Sequence, residues 1–391
     1  MRRVVYGGTF NPPHLGHIQA VCSVSNALKP DKLLIMPTFL APHKEMSGDT
    51  PPPEERMELC RLAFGELPGV EVSDLEMRRT GKSYTSDTIL ELKAMYPGDE
   101  LMFVMGTDMI LSLETWHAPE VILENAALAV LLRGDPADGQ VPTHIEHLKQ
   151  RYGGTITLVE APVYPASSTE LREALKRAGG RELLSDEVYA RIIKRRDYGA
   201  KAALSWLRER AAELLAPKRV PHVLGCEEEA VRLARRWGAD EYEAAAAAIL
   251  HDITKKCSFD EQLLLCDKYG MIIDTSIIGM DKALHQMTGA AVAYGEFGVS
   301  EAVRDAIRWH TTGRADMSLL EKIIYLADYI EPTRCFDGVE TLRKLCYEDI
   351  DSAMELGLRM TMDDLAAKGV PVLEISAQAY SWFKNRRGES S

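Results

Sequence analysis

The stretch from Gly7 to His17, GGTFNPPHLGH, has the residue types and spacing of a phosphate-binding site. Glycine lacks a Cβ, so Gly7 and Gly8 let the backbone approach a polyphosphate closely. His14 and His17 lie three residues apart where a helix over 18–28 is predicted to begin, so they share one face. The N–H groups and positive dipole end of that helix favour an anion. The pattern predicts phosphate chemistry rather than the alternative, an ordinary βα turn with two surface histidines.

Further candidate groups follow predicted strands or open predicted helices in the first half. Lys44 is either a phosphate-binding cation or an exposed lysine, the usual state of this residue type. Trp116 either offers a stacking face to a heteroaromatic ring or belongs to the core. Ser168 and Thr169 open a helix, where they cap N–H groups or hand those donors to a phosphate, with Arg172 one turn on.

Apolar strand-like runs alternate with amphipathic helical segments between residue 1 and about residue 197. The predicted strands cover 4–6, 32–36, 70–72, 101–105, 128–132 and 156–159. This alternation predicts an α/β domain with a doubly wound parallel sheet, whose ligands bind beyond the carboxyl ends of the strands. After a boundary between 197 and 203, the pattern is nearly all helical. We therefore predict two domains, 1–197 and 203–391, the second all-α.

Composition narrows the class of protein. A chain of 391 residues is long enough for two cores, and its net charge of −13 argues against a general nucleic-acid surface. The seven cysteines show no Cys-x-x-Cys pair, which is typical of reduced thiols. No signal peptide or membrane-spanning run is predicted. We expect a cytoplasmic protein with no membrane partner.

The second half carries a scattered set of histidines and aspartates. They are His222, His251, Asp252, His285, His310 and Asp328. Imidazole and carboxylate ligands suit Fe²⁺, Mn²⁺ or Zn²⁺ and do not distinguish among them. The alternative is that each histidine is simply hydrogen-bonded in the core and that the His-Asp dipeptide is a chance match.

The first half resembles a known enzyme family. Residues 7–17 resemble the GGTFxPxHxGH signature of nucleotidyltransferases that move an adenylyl group from ATP to a mononucleotide, although Asn11 stands where many members have Asp. Four further motifs, in the order found here, resemble bacterial nicotinate-nucleotide adenylyltransferases. They are PxxxxPHK (37–44), SYTxDTI (83–89), GxD with Trp-His (106–108, 116–117) and SSTxLR (167–172).

This resemblance implies roles for residues of the first half. His14, His17 and Lys44 would be catalytic, and Thr85 and Trp116 would surround the pyridine ring of nicotinate mononucleotide. Mg²⁺ would be the metal of the transferase. The ATP-binding residues would be Gly7, Gly8, Thr9, Phe10, His14, His17, Lys44, Gly106, Asp108, Ser168, Thr169 and Arg172.

The second half resembles HD-type phosphohydrolases. The matching segments include ILHDITK (249–255), IRWHTTGR (307–314) and residues 321–334, and they are most similar to the bacterial HD-domain family that splits diadenosine tetraphosphate symmetrically into two ADP. The resemblance implies a metal, Fe²⁺ or else Mn²⁺ or Zn²⁺, with Asp252 also catalytic. The implied metal ligands are His222, His251, Asp252 and Asp328; the implied nucleotide-binding residues are Lys255, His285, His310, Thr311 and Arg334.

We therefore predict a bifunctional enzyme that acts on ATP, nicotinate mononucleotide and diadenosine tetraphosphate. Two alternatives stay open. The second domain could sense nucleotides without turnover, or the two domains could act on other substrates, such as nicotinamide mononucleotide or phosphopantetheine in front and a guanosine alarmone or deoxynucleotide behind. A homo-oligomer is possible, and no nucleic-acid partner is expected.

Overall fold

The computed structural model describes residues 1–39, 48–79, 81–164, 167–272 and 281–389. The chain divides into two units, Met1–Ala200 and Lys201–Ser391, and each is described by itself.

The first unit contains a six-stranded sheet. Its elements are β1 (Arg2–Gly8), α1 (Leu15–Leu28), β2 (Lys32–Pro37), α2 (Pro53–Phe64), β3 (Val70–Val72), α3 (Thr85–Met95), β4 (Glu100–Gly106), α4 (Thr107–Leu111), α5 (Pro119–Asn125), β5 (Ala127–Leu132), α6 (Val141–Tyr152), β6 (Ile156–Glu160), α7 (Ser168–Lys176) and α8 (Asp186–Arg195). The strand order is β3-β2-β1-β4-β5-β6 and every pairing is parallel. The predicted doubly wound α/β fold is confirmed.

The strands are buried on both faces, which explains why they appear in the sequence as continuous apolar runs. Val4 and Val5 in β1, Ile35 in β2 and Val104 in β4 are at most 2% exposed. The order of the strands reverses between β1 and β4, and the loops that follow these two strands diverge there. In parallel sheets such a divergence opens a crevice at the carboxyl edge. The GGTFNPPHLGH stretch follows β1 and therefore lies at this crevice.

The second unit is helical throughout its described residues, as predicted. Its helices are α9 (Leu204–Leu214), α10 (Val220–Trp237), α11 (Glu241–Leu250), α12 (Phe259–Lys268), α13 (Asp281–Glu296), α14 (Glu301–Trp309), α15 (Leu319–Ile330), α16 (Val339–Glu348), α17 (Ile350–Ala367) and α18 (Glu374–Glu389). The alanines 244–248 of α11 are all buried, and their small size lets neighbouring helices pack closely. Helix α11 ends at Leu250, so His251 and Asp252 stand at its carboxyl end.

A bilayer is about 30 Å thick in its apolar part. Among the described residues, none of the helices combines the length and the apolar character needed to span it.

Candidate functional sites

A cavity of about 1010 Å³ opens at the carboxyl edge of the first unit's sheet. The loops after β1, β4 and β5 and the first turn of α7 form its walls. It brings together most of the residues that the sequence predicts for this site: Gly7, Gly8, Thr9, Phe10, His14, His17, Thr85, Gly106, Asp108, Trp116 and Ser168. Lys44 lies outside the described residues, and its predicted role stays a prediction.

The two glycines suit close aromatic packing at the predicted phosphate site. A Cβ on Gly7 would lie 3.2 Å from the Phe103 ring, and one on Gly8 would lie 3.2 Å from the Phe10 ring. Phe10 is itself only 1% exposed and packs edge-on against His17 at a ring distance of 5.1 Å. The buried Phe10 ring therefore helps to fix the position of the His17 ring.

His14 and His17 converge as predicted, because His14 is the N-cap of α1 and His17 lies in its first turn. Their ring centroids are 3.8 Å apart, and the His14 backbone N–H donates to Nδ1 of His17 at 3.2 Å. Since Nδ1 of His17 accepts this bond, the ring proton is on Nε2, which makes His17 a hydrogen-bond donor. Burial, together with the charge of Arg133, lowers the pKa of His14 to about 4, so its ring is neutral at pH 7.

Helix α7 is tied to the loop after β1. Ser168 Oγ donates to the Pro12 carbonyl at 3.3 Å, and Arg172 Nη1 donates to the Asn11 carbonyl at 2.7 Å. Arg172 also donates to Thr169 Oγ1 at 3.3 Å. Thr169 and Arg172 are absent from the described lining of the cavity, and the Arg172 guanidinium is bonded to the loop after β1. In the structure, Arg172 and its partner Thr169 stabilise the loop after β1.

The Asn11 side chain makes a hydrogen bond within the protein. Asn11 is the residue that stands where many members of the similar family have Asp. It is 6% exposed, and its amide Nδ2 donates to Thr50 Oγ1 at 2.9 Å. An amide can make this donation and an ionised carboxylate cannot. The departure from the family signature thus has a structural partner in this chain.

The cavity lining also includes flat rings and a helix start. Thr85 is the first residue of α3, and Trp116 packs partly against the core. The rings of Tyr84 and His117 lie 4.6 Å apart, and Ser86 Oγ lies 3.2 Å from Nδ1 of His117. Aromatic faces beside the N–H groups of a helix start suit a heteroaromatic ring that carries an anion.

In the second unit, four residues from three separate segments of the chain meet in one buried cluster. Nε2 of His222 lies 3.1 Å from Asp328 Oδ1 and 3.8 Å from Asp252 Oδ2. Nε2 of His251 lies 3.4 Å from Asp252 Oδ2 and 3.9 Å from Asp328 Oδ1. The geometry thus brings together all four residues predicted to be metal ligands.

The histidine rings of this cluster are oriented as metal ligands are. Nδ1–H of His251 donates to the Ala248 carbonyl at 2.7 Å, and the fully buried Nε2 of the same ring has no hydrogen-bond partner among the described residues. Nδ1 of His222 lies 3.0 Å from a carboxylate oxygen of Glu331. Metal-binding histidines use their second ring nitrogen in this way, so the cluster fits a divalent ion.

The charge states suit a cation as well. Burial lowers the pKa of His251 well below its usual value, which leaves the ring in the neutral form that binds metals. Burial disfavours an ionised Asp328, but the hydrogen bond with His222 and the positive charge of Arg334 outweigh it and hold the pKa of Asp328 well below its usual range. A neutral His251 imidazole and an ionised Asp328 carboxylate therefore face one another.

His285 and His310 lie on the other side of Asp252. Nε2 of His285 lies 3.3 Å from Asp252 Oδ1, and Nε2 of His310 lies 3.7 Å from it. Thr311 Oγ1 is 3.5 Å from Nε2 of His285. The Asp252 carboxylate thus stands between two histidine groups, with one oxygen directed to each.

Three cations contact the carboxylates of the cluster. Lys255 Nζ lies 3.0 Å from Asp252 Oδ1, Arg334 Nη2 donates to Asp328 Oδ1 at 2.6 Å, and Arg219 contacts Asp252. Lys255 and Arg334 were predicted here from the resemblance, and Arg219 was not. Three cations beside a cluster of metal-binding residue types would suit a negatively charged polyphosphate.

Comparison with known proteins assigns each unit to a family. Residues 5–174 match the cytidylyltransferase-like family, and residues 219–333 match the HD domain family. The probable nicotinate-nucleotide adenylyltransferase of Lachnoclostridium phytofermentans is 34% identical over 196 residues, which cover 50% of this chain and 98% of that relative. The symmetrical bis(5'-nucleosyl)-tetraphosphatase of Bacillus subtilis is 39% identical over 171 residues, which cover 43% of this chain and 91% of that relative.

The chain belongs to both families. Met1–Ala200 is from here on called the nucleotidyltransferase unit and Lys201–Ser391 the HD unit. A crystal structure of a predicted HD superfamily hydrolase involved in NAD metabolism, from Clostridium acetobutylicum, is 34% identical. It covers 48% of this chain and is itself covered completely, with a TM-score of 0.46.

Sequence reasoning missed Arg56 and Arg133 of the nucleotidyltransferase unit. Arg56, on α2, is 1% exposed and donates to the carbonyls of Thr9 (2.9 Å), Thr38 (2.8 Å) and Phe39 (2.9 Å). No local pattern distinguishes it from an exposed helical arginine. Arg133 lines the cavity and donates to the Tyr6 hydroxyl at 2.8 Å. Its position directly after a strand was a signal that could have identified it.

The variant Arg56→Met tests how the loops after β1 and β2 are held. It removes the donors of three backbone carbonyls, and each unsatisfied buried group costs about 1–3 kcal/mol. We expect the free energy of unfolding to fall by about 3–5 kcal/mol, measured by urea denaturation. The control Arg61→Met removes a 55% exposed side chain of the same helix and should change stability by less than about 0.5 kcal/mol. Equal small effects would contradict the bracing role.

The low pKa of His14 predicts a pH dependence of stability. Between about pH 6.5 and pH 4, the unfolded state binds a proton at His14 that the folded state does not bind. Stability therefore falls as the pH falls through this window, by about 3 kcal/mol in total, and the contribution is complete above pH 6.5. The free energy of unfolding is measured by urea denaturation at several pH values and is monitored by hydrogen exchange of the β1 and β4 amides. His14→Gln should flatten its dependence on pH, whereas His147→Gln should not. Identical slopes in all three proteins would refute it.

Proposed function

We propose that the nucleotidyltransferase unit transfers an adenylyl group from ATP to nicotinate mononucleotide, giving nicotinate adenine dinucleotide and pyrophosphate. The observation that carries the proposal is that one cavity is lined by two kinds of group. His14, His17 and Ser168 are suited to phosphates, and Trp116 and Thr85 at the start of α3 are suited to a pyridine ring. The probable nicotinate-nucleotide adenylyltransferase described above supports the same choice.

The reaction needs alignment and charge stabilisation rather than a protein nucleophile. An oxygen of the mononucleotide phosphate attacks the α-phosphorus of ATP; a P–O bond forms there while the bond to pyrophosphate breaks. His17, with its proton on Nε2, donates to phosphate oxygens as their negative charge grows. The His14 ring beside it is neutral and lines the same cavity. Arg133 supplies fixed positive charge at the same wall.

ATP enters as its Mg²⁺ complex in this proposal. Carboxylates and phosphates are the ligands that Mg²⁺ takes. Asp108, exposed at the cavity wall, is the carboxylate proposed to face that complex. Gly106 is suited to this arrangement, since a Cβ there would lie 3.0 Å from Asp108 Oδ1. Lys44, Thr169 and Arg172 complete the proposed ATP-binding set.

The choice of acceptor is tested by offering the purified chain ATP with nicotinate mononucleotide, nicotinamide mononucleotide or phosphopantetheine. We expect the acid to be adenylylated with the highest kcat/KM, because the start of α3 favours an anion beside the ring. Products are separated by anion-exchange chromatography. Faster reaction with phosphopantetheine, or none with either pyridine nucleotide, would contradict the proposal.

We propose further that the HD unit hydrolyses diadenosine tetraphosphate symmetrically to two ADP. The buried cluster of His222, His251, Asp252 and Asp328 carries this proposal, supported by the tetraphosphatase of Bacillus subtilis. These four residues would hold a divalent ion, Fe²⁺, Mn²⁺ or Zn²⁺. When bound, such an ion supplies Lewis-acid activation of water and of phosphate oxygens.

The chain's own residues explain how a tetraphosphate would be gripped. Arg219, Lys255 and Arg334 provide three cations for a bridge that carries several negative charges. His285 and His310 place their Nε2 atoms 3.2 Å apart beside Asp252, within reach of the same bridge. Hydrolysis consumes one water, and the central P–O–P linkage breaks so that each product keeps two phosphates.

A hydrolysis assay distinguishes an HD unit that cleaves the tetraphosphate from a nucleotide-sensing module that only binds it. The metal-loaded chain is incubated with diadenosine tetraphosphate, and nucleotides are quantified by chromatography while binding is followed by calorimetry. We expect two ADP per substrate. Tight binding without products would favour the sensing alternative, and ATP plus AMP would contradict the symmetrical cut.

A further inference from the structure

Cys226 lies within the metal-type cluster of the HD unit. It follows His222 by one turn of α10, so the two side chains lie on the same face of the helix. Its thiol is 1% exposed, and Sγ lies 3.5 Å from Nε2 of His222. Neither the family motifs nor the relatives' names point to a sulfur here.

The sulfur is one member of a compact set of ligand atoms. One ligand atom each from His222, Cys226, His251 and Asp328 lie within 4.8 Å of one another. Atoms that share one ion at bond lengths of about 2.0–2.3 Å are separated by at most about 4.6 Å. The set is therefore close to the size that one ion requires. Independently of the cysteine, the buried Nε2 of His251, which has no hydrogen-bond partner in the described part of the chain, marks this point as a ligand site.

The neighbours of Cys226 hold it there. Glu331 is fully buried and engages Nδ1 of His222, which leaves Nε2 of that ring available to an ion. The sulfur lies beside the ring, 3.5 Å from Nε2 and 3.8 Å from Nδ1. A Cβ on Gly225 would lie 2.8 Å from Glu331 Oε2, so glycine is needed for this close approach. Helix α10 is thereby seated against Glu331 with both His222 and Cys226 turned to the cluster.

We infer that Cys226 is a further metal ligand, which adds a sulfur to the proposed set of His222, His251, Asp252 and Asp328. This inference rests on the proposed metal site of the HD unit. On binding, the S–H bond is replaced by a sulfur–metal bond, and one proton leaves to solvent. A thiolate is a soft ligand, so the site takes Zn²⁺, Fe²⁺ or Co²⁺ in preference to Mn²⁺.

Cobalt spectroscopy of the full chain tests the inference without using activity. The Co²⁺ protein should show a near-ultraviolet sulfur-to-cobalt charge-transfer band in addition to its visible bands. Cys226→Ser and Cys226→Ala should lose only the charge-transfer band, and Zn²⁺ affinity should fall at least about tenfold while Mn²⁺ affinity changes less. Cys346→Ala, which removes another fully buried thiol of the unit, should change neither.

The outcomes separate this inference from the proposed function. Visible cobalt bands that His251→Ala abolishes, with no charge-transfer band in the unmodified chain, would overturn the role of Cys226 and leave the metal site intact. The thiol would then be a small apolar residue packed on His222. A charge-transfer band that persists in Cys226→Ala would also overturn it. No cobalt binding at all would overturn both the ligand and the site.

Discussion

Replacing His17 by alanine is expected to reduce the kcat of adenylyl transfer by about 100- to 1000-fold, because it removes a donor aimed at charge that develops on the phosphates. His17 accepts from the His14 backbone N–H at Nδ1, which fixes the proton on Nε2. The loss should appear in kcat more than in KM, measured by pyrophosphate release under steady-state conditions. Helix α1 should persist, since its core contacts come from Val21 and Val24.

Two controls make this prediction sharp. His147→Ala removes a histidine that is 52% exposed in the same unit and should leave kcat unchanged. His17→Asn keeps a short side-chain donor and should recover part of the lost rate. A His17→Ala protein that is folded by circular dichroism and retains near-normal turnover would place the active site elsewhere.

Replacing Asp252 by alanine is expected to abolish hydrolysis of diadenosine tetraphosphate and to release the bound metal. Its carboxylate lies between the His222–His251 pair and the His285–His310 pair, so both groups lose their common anion. Metal content per chain, measured by plasma mass spectrometry after dialysis, should fall to background.

The variant Asp252→Asn keeps the side chain's size and guards against a folding defect, since alanine would leave Lys255 and Arg219 beside an empty space. Asp260→Ala, on the exposed face of α12, is the matched control and should keep both metal and hydrolysis. Adenylyl transfer should be unaffected in all three. Hydrolysis by a metal-free Asp252→Ala protein would show that this cluster is not the site.

The cavity residues of the nucleotidyltransferase unit could be predicted because parallel strands bring the residues that follow them to one edge. Gly7 and Gly8 end β1, Gly106 ends β4, and these positions were predicted from apolar runs. The strand order could not be predicted, since alternating patterns do not tell which strands are neighbours. Only the structure puts β4 beside β1.

Other features depend on contacts that no local pattern encodes. Arg172 is predicted from the sequence to hold phosphate, and only the structure shows that its guanidinium also donates to the Asn11 carbonyl, 161 positions earlier in the chain. Glu331 was seen only as part of a motif, although it orients His222 from 109 positions away. Arg56 and Arg219 gave no signal, because an arginine in a helical pattern is normally exposed.

One crystal structure tests most directly whether the predicted ATP-binding residues share one cavity and the predicted metal ligands share one buried cluster. The full chain is crystallised with a non-hydrolysable ATP analogue and Mn²⁺, and data are collected at the manganese edge. We predict triphosphate density against His14 and His17, and an anomalous peak surrounded by His222, His251, Asp252 and Asp328. Analogue density away from the histidine pair, or no anomalous peak within the buried cluster, would contradict the account.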